Sequence, residues 1–193
     1  MSSPSIASAI VTVIDAEPHH MAAVQAIYSH YVLHDLCSFE EEVPSVDQMQ
    51  QRRADAIARG MPYLVAMLDG EVAGYAYATA YRARSAYRHS VEDSVYVAQG
   101  MHGHGIGKAL LGEVIRRCTE AGFTQMVACV GNSANTGSLR LHESLGFRQV
   151  GVLSDIGFDK NGVPSPPDSG GPVGMVFGRE GDYVLANGRI LPA

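Results

Sequence analysis

A chain of 193 residues has room for one domain with a sizeable core. Its composition, 46% hydrophobic and 18% charged, is that of an ordinary globular protein, and a formal charge of -6 supplies no basic face for nucleic acid. No run approaches the roughly 18 apolar residues of a membrane-crossing helix, so a membrane is not an expected partner either.

Residues 1–9 are rich in Ser and Ala, with no basic start and no long apolar core, and are expected to be a flexible leader and not a secretory signal. Residues 10–14 (Ile-Val-Thr-Val-Ile) read as a first strand. Pro18 stands where a helix can start, and Met21, Val24, Ile27, Tyr28 and Tyr31 recur at helical spacing. Cys37, Ser38 and Phe39, with the acidic run Glu40, Glu41, Glu42 and then Pro44, read as an exposed connection. A second helix is expected over 45–59, capped by Ser45 and stopped by Gly60.

Strands over 63–68 and 72–80 flank Asp69-Gly70, a hairpin signal. A further strand is expected over 90–97, followed by a glycine-rich turn over 100–107 that opens a helix running to Ala121. A short strand at 126–130, a helix at 135–145 ended by Gly146, and a strand at 147–153 complete the regular part. The order β-α-α-β-β-β-α-β-α-β describes an α/β protein with a mixed sheet. Residues 161–174 hold too many prolines and glycines for a regular element, and a last strand is expected near 173–177. Domain organisation then reads as a main unit over 10–158 and an atypical segment over 159–193.

The turn His102-Gly103-His104-Gly105-Ile106-Gly107-Lys108 follows Val95-Tyr96-Val97 and precedes a helix, so its backbone amides and the positive helix end suit a pyrophosphate. It is not a Walker loop, because His102 and Ala109 stand where Gly and Ser/Thr are required. Nor is it a dinucleotide fingerprint, since it reads G-x-G-x-G after a fourth strand. A plain connecting turn is the alternative.

The turn resembles the acetyl-CoA signature of GNAT acetyltransferases, R/Q-x-x-G-x-G/A. A second signature of that family is matched by Asn135, Ser138, His142, Glu143, Gly146 and Phe147. The resemblance implies a GNAT fold, a central mixed and mostly antiparallel sheet flanked by helices, and acetyl-CoA as co-substrate with no metal. Val95, Tyr96 and Val97 would meet the pantetheine arm, Gly103, His104, Gly105, Ile106, Gly107 and Lys108 would wrap the pyrophosphate, and Asn135 and Ser138 would complete the site. His102 and His104 depart from the usual basic positions, which implies weaker cofactor binding.

The stretch from Tyr81 to Val97 is similar to phosphinothricin and methionine sulfoximine acetyltransferases. This branch implies direct N-acetylation of a small amino acid or analogue, with Glu92 as general base and His142 as acid or substrate-positioning residue. Phe39, Arg84, Tyr87 and His142 would meet the acceptor, Arg84 gripping an anionic group. Taken without the resemblance, Glu92 also reads as a solvated strand carboxylate, as Asp93 beside it does, and Arg82 and Arg88 read equally well as solvated loop charges. A strand N–H near Val97 would serve the oxyanion. The cysteines Cys37, Cys118 and Cys129 read as free thiols of a reducing cytoplasm, and a homodimer is the expected assembly. Another amine acceptor (a polyamine, an aminoglycoside or a protein N-terminus) and a non-catalytic acyl-CoA-binding domain remain the alternatives.

Overall fold

The computed structural model describes residues 10–35, 38, 40–131 and 135–152 in full, and beyond them the backbone of three strands. The leader 1–9, Cys37 and Phe39 lie outside the described residues. The elements are β1 (Thr12–Asp15), α1 (Met21–His34), α2 (Val46–Ala58), β2 (Tyr63–Leu68), β3 (Glu71–Ala80), β4 (Ser90–Val97), α3 (Ile106–Glu120), β5 (Gln125–Val130), α4 (Thr136–Ser144), β6 (Arg148–Val152) and β7 (Val173–Gly178). A two-residue pair, β8 (Tyr183–Val184) with β9 (Ile190–Leu191), follows.

Local chemistry sets the boundaries. Pro18 opens a short 3-10 turn, so α1 begins only at Met21. Ile10 is left 82% exposed because β1 pairs with β2 from Thr12 onward. Ser45 caps α2 by accepting from the Gln48 amide, and the Gln48 side chain returns the bond to the Ser45 amide. Glu40 is not simply an exposed member of an acidic run. It takes a two-pronged grip from Arg52 (2.6 and 3.0 Å) and a hydrogen bond from the Tyr28 hydroxyl (2.9 Å), tying the connection to both helices.

One seven-stranded sheet runs in the order β1-β2-β3-β4-β5-β7-β6. Every neighbouring pair is antiparallel except β4 with β5. The alternation along β3 sorts its two faces. Tyr75 and Tyr77 stack with Tyr63 and Tyr96 on the face covered by α1 and α2. On the other face Gly74, Ala76 and Ala78 leave room for α3. A β-carbon at Gly74 would lie 2.8 Å from the Tyr96 carbonyl oxygen and 3.0 Å from Ile106 Cγ2. That close approach seats the glycine turn against the middle of the sheet.

Candidate active site

The parallel pair β4–β5 joins only Ser90–Asp93 to Gln125–Ala128. Past Asp93 and Ala128 the two strands part, although β4 continues to Val97 and β5 to Val130. The fork opens into a cleft of about 690 Å³. Ser94 to Val97 form one wall, Cys129 to Gly131 the other, the glycine turn and the start of α3 the mouth, and α4 one flank. Among the described residues no strand lies beside β4 on the fork side from Ser94 onward, so the backbone groups that face the fork there can pair with an extended ligand.

At the mouth Gly103 (φ 85°) and Gly105 (φ 78°) take left-handed conformations that a side chain would strain. Gly105 is the N-cap of α3, so the amides of its first turn face the cleft end. Gly103, Gly105, Ile106, Gly107 and Lys108 line the cleft, as does His102. His104 is exposed and is not part of the lining, because the turn directs it to solvent. Asn135 caps α4 by accepting from the Ser138 amide at 3.0 Å, and both residues line the flank.

At the fork itself lies a buried ion pair. His142 Nε2 is 3.1 Å from Asp93 Oδ2, with side-chain exposures of 3% and 1%. His142 Nδ1 donates to the Ser138 carbonyl at 2.7 Å, and the ring stands edge-on to Phe147. Burial works against the imidazolium, but the Asp93 hydrogen bond and charge, with the Ser138 carbonyl, outweigh it and hold His142 above the ordinary histidine value of 6.5. Asp93 is therefore no solvated neighbour of Glu92. Strand alternation turns it to the α3 side together with Val91, both buried.

Glu92 lies on the opposite, α1/α2 side of β4, half-buried and outside the cleft lining. Burial and the nearby Asp93 charge push its carboxyl above the usual range, and Arg82 opposes the shift. Arg82, stacked over the Tyr81 ring, thus sends its charge toward Glu92, whereas Arg84 is exposed and does not line the cleft. Tyr87 packs edge-on to Tyr81 in the β3–β4 connection and is likewise outside the lining. Phe39 lies outside the described residues. Among the cleft residues outside the motifs are Tyr31, whose hydroxyl donates to the Val97 carbonyl at 2.6 Å, and the Cys129 thiol. Partial burial and the Glu92 and Asp93 charges push that thiol up to about 11.

A forked sheet, a glycine turn at its mouth and a capped helix on its flank make a cleft whose strand edge and helix-end amides suit an extended, anionic ligand. The model of the acetyltransferase (GNAT) family matches residues 26–147, and the chain belongs to that family. It is 49% identical over 138 residues to a phosphinothricin N-acetyltransferase of Alcaligenes faecalis, covering 72% of this chain and 70% of the relative. It is 33% identical to an L-methionine sulfoximine/L-methionine sulfone acetyltransferase of Salmonella typhimurium over 76% and 85% of the two chains. Among solved structures, a phosphinothricin acetyltransferase from Sinorhizobium meliloti in complex with AcCoA superposes with a TM-score of 0.80 at 40% identity, covering 87% of this chain and 88% of that one. Among the described residues no helix is long and apolar enough to cross a membrane.

Proposed function

We propose that the protein transfers the acetyl group of acetyl-CoA directly to the amine of a small amino acid or analogue of the phosphinothricin or methionine sulfoximine type. The observation that carries this reading is the β4 edge from Ser94 to Val97, beside which no strand lies among the described residues, leading into the Gly103–Gly107 turn. The residues fit acetyl-CoA. The strand edge suits the amides of the pantetheine arm, and the α3 amides with Lys108 suit the pyrophosphate. Asn135 and Ser138 flank the arm.

Glu92 is the general base. Its raised pKa brings it closer to the amine it must deprotonate. Because it stands outside the lining, a water carries the proton to it from the amine at the fork. The neutral amine then attacks the thioester carbonyl, and a β4 amide near Val97 faces the oxyanion. The C–S bond breaks, the proton still on the attacking nitrogen passes through water to the departing sulfur, and CoA leaves as the thiol. His142 has both ring nitrogens engaged, so a charged positioning role at the fork suits it better than proton donation. Cys129 stays protonated at neutral pH and is a poor nucleophile, which supports direct transfer over an acyl-enzyme.

For the acceptor, Arg82 joins Arg84 and Tyr87 as a candidate for the anionic group, supported by its reach to Glu92. A homodimer is supported by the exposed Val150 and Val152 on the edge strand β6. A cytoplasmic setting is supported by the free thiols of Cys118 and Cys129.

The test is kinetic. With methionine sulfoximine as acceptor, wild-type kcat/KM falls on the acid side as pH drops through the raised Glu92 pKa, above the usual carboxylate range. Glu92→Gln loses that limb and about 10²–10⁴ of the rate. An unchanged rate and profile in the variant would remove Glu92 from the mechanism.

A further inference from the structure

Tyr31 sits on α1, far in sequence from both signatures, yet its hydroxyl reaches the edge of β4 that forms the cleft wall. Successive residues of a strand turn their backbone groups to opposite sides. The Ala98 amide bonds back to the Ala73 carbonyl, toward β3, so the N–H and C=O of Val97 face the other way, into the fork. The Tyr31 hydroxyl takes both. It donates to the Val97 carbonyl at 2.6 Å and lies 3.3 Å from the Val97 amide nitrogen, which donates to it.

Resting on the reading of the cleft as an acetyl-CoA site, we propose that Tyr31 competes with the donor's pantetheine arm for the backbone of Val97 and so sets the affinity for acetyl-CoA. An extended amide chain pairing with the strand needs the same donor and acceptor that the hydroxyl holds. The two cannot share them in full, because one N–H and a narrow edge serve one in-plane partner well. The hydroxyl has somewhere to go. His102 Nε2 lies 3.2 Å from it, on the turn at the mouth of the cleft. A tilt of the ring that carries its oxygen off Val97 brings the hydroxyl onto that nitrogen. The ring meets Tyr96 and His30 edge-on, at 5.1 and 5.9 Å between centroids, contacts that a small tilt keeps, so the adjustment is local. His102 thereby acquires a purpose that differs from phosphate binding: it receives the displaced hydroxyl.

Tyr31→Phe keeps the ring contacts and removes only the competing oxygen. Calorimetric titration with acetyl-CoA is expected to give a dissociation constant about two- to tenfold lower in this variant, the scale of one neutral hydrogen bond. KM for acetyl-CoA falls in parallel, and KM for the acceptor stays unchanged. Unchanged or weaker binding by a folded Tyr31→Phe protein overturns the proposal while leaving the transferase reading intact, provided the wild type binds. Wild-type protein that binds no acetyl-CoA overturns both. Should the variant fail to fold, wild-type protein carrying 3-fluorotyrosine at position 31 serves instead. Its fluorine resonance shifts on adding acetyl-CoA if the hydroxyl leaves Val97, and a resonance that does not move contradicts the competition.

Discussion

Replacing Asp93 with alanine strands His142 in a site where its side chain is only 3% exposed. The wild-type pair holds its proton because Nδ1 faces a carbonyl and Nε2 a carboxylate, both acceptors. Without the carboxylate, a buried imidazolium has no counter-charge, and breaking a pair of this kind costs about 3–5 kcal/mol. For a chain of this length that corresponds to a fall in Tm of roughly 6–20 °C. The cost depends on pH in a definite direction. His142 is raised above 6.5 in the folded protein, so its contribution is fully present below 6.5 and disappears as pH rises through the folded value. In Asp93→Ala, burial instead makes protonation unfavourable. Urea unfolding of both proteins between pH 5.5 and 9 (roughly one unit below and two and a half above the ordinary value) should show the largest deficit at the acid end and a narrowing gap above it. A deficit under about 1 kcal/mol throughout, or one that fails to narrow as pH rises, would refute the buried-pair argument.

Gly74→Ala places a β-carbon against a backbone oxygen at 2.8 Å and two side chains of α3. It should cost about 1–3 kcal/mol in denaturant unfolding and weaken acetyl-CoA binding by shifting the turn. Gly105→Ala meets open space but keeps a φ of 78°. A loss of about 1–2 kcal/mol is expected, with raised KM for acetyl-CoA and little change in KM for the acceptor. Ser45→Ala removes the α2 cap, and about 1 kcal/mol should be lost with both KM values unchanged, which thermal unfolding and steady-state kinetics can check together.

The fold was legible where local rules act alone. Asp69-Gly70 announced the β2–β3 hairpin, Ser45 and Gly60 bracketed α2, and the alternating Val95-Tyr96-Val97 marked the end of β4. The place of β7 between β5 and β6 was not, because strand order depends on contacts across the whole chain. The site was half legible. Motif spacing marked the turn and α4, but a motif does not say which way a side chain faces. Asp93 was read as a solvated carboxylate beside the proposed base Glu92, yet the two-residue period of a strand sends one to each side of the sheet, and Val91 and Val95 flanking them already hinted at it. Tyr31 fitted the apolar stripe of α1, and nothing local reveals that its hydroxyl crosses to Val97. Arg82 was set aside as a loop charge because its partner lies on another element.

The central claim is acetyl transfer from acetyl-CoA to a small, anionic amine. Thiol release measured with acetyl-CoA against methionine sulfoximine, phosphinothricin, a polyamine, an aminoglycoside and a peptide N-terminus tests it most directly. Turnover is expected on the two amino-acid analogues, with N-acetyl product equal to thiol released and kcat/KM well above that for the polyamine. Acetyl-CoA binding with no turnover on any amine, or preference for the polyamine, would contradict it.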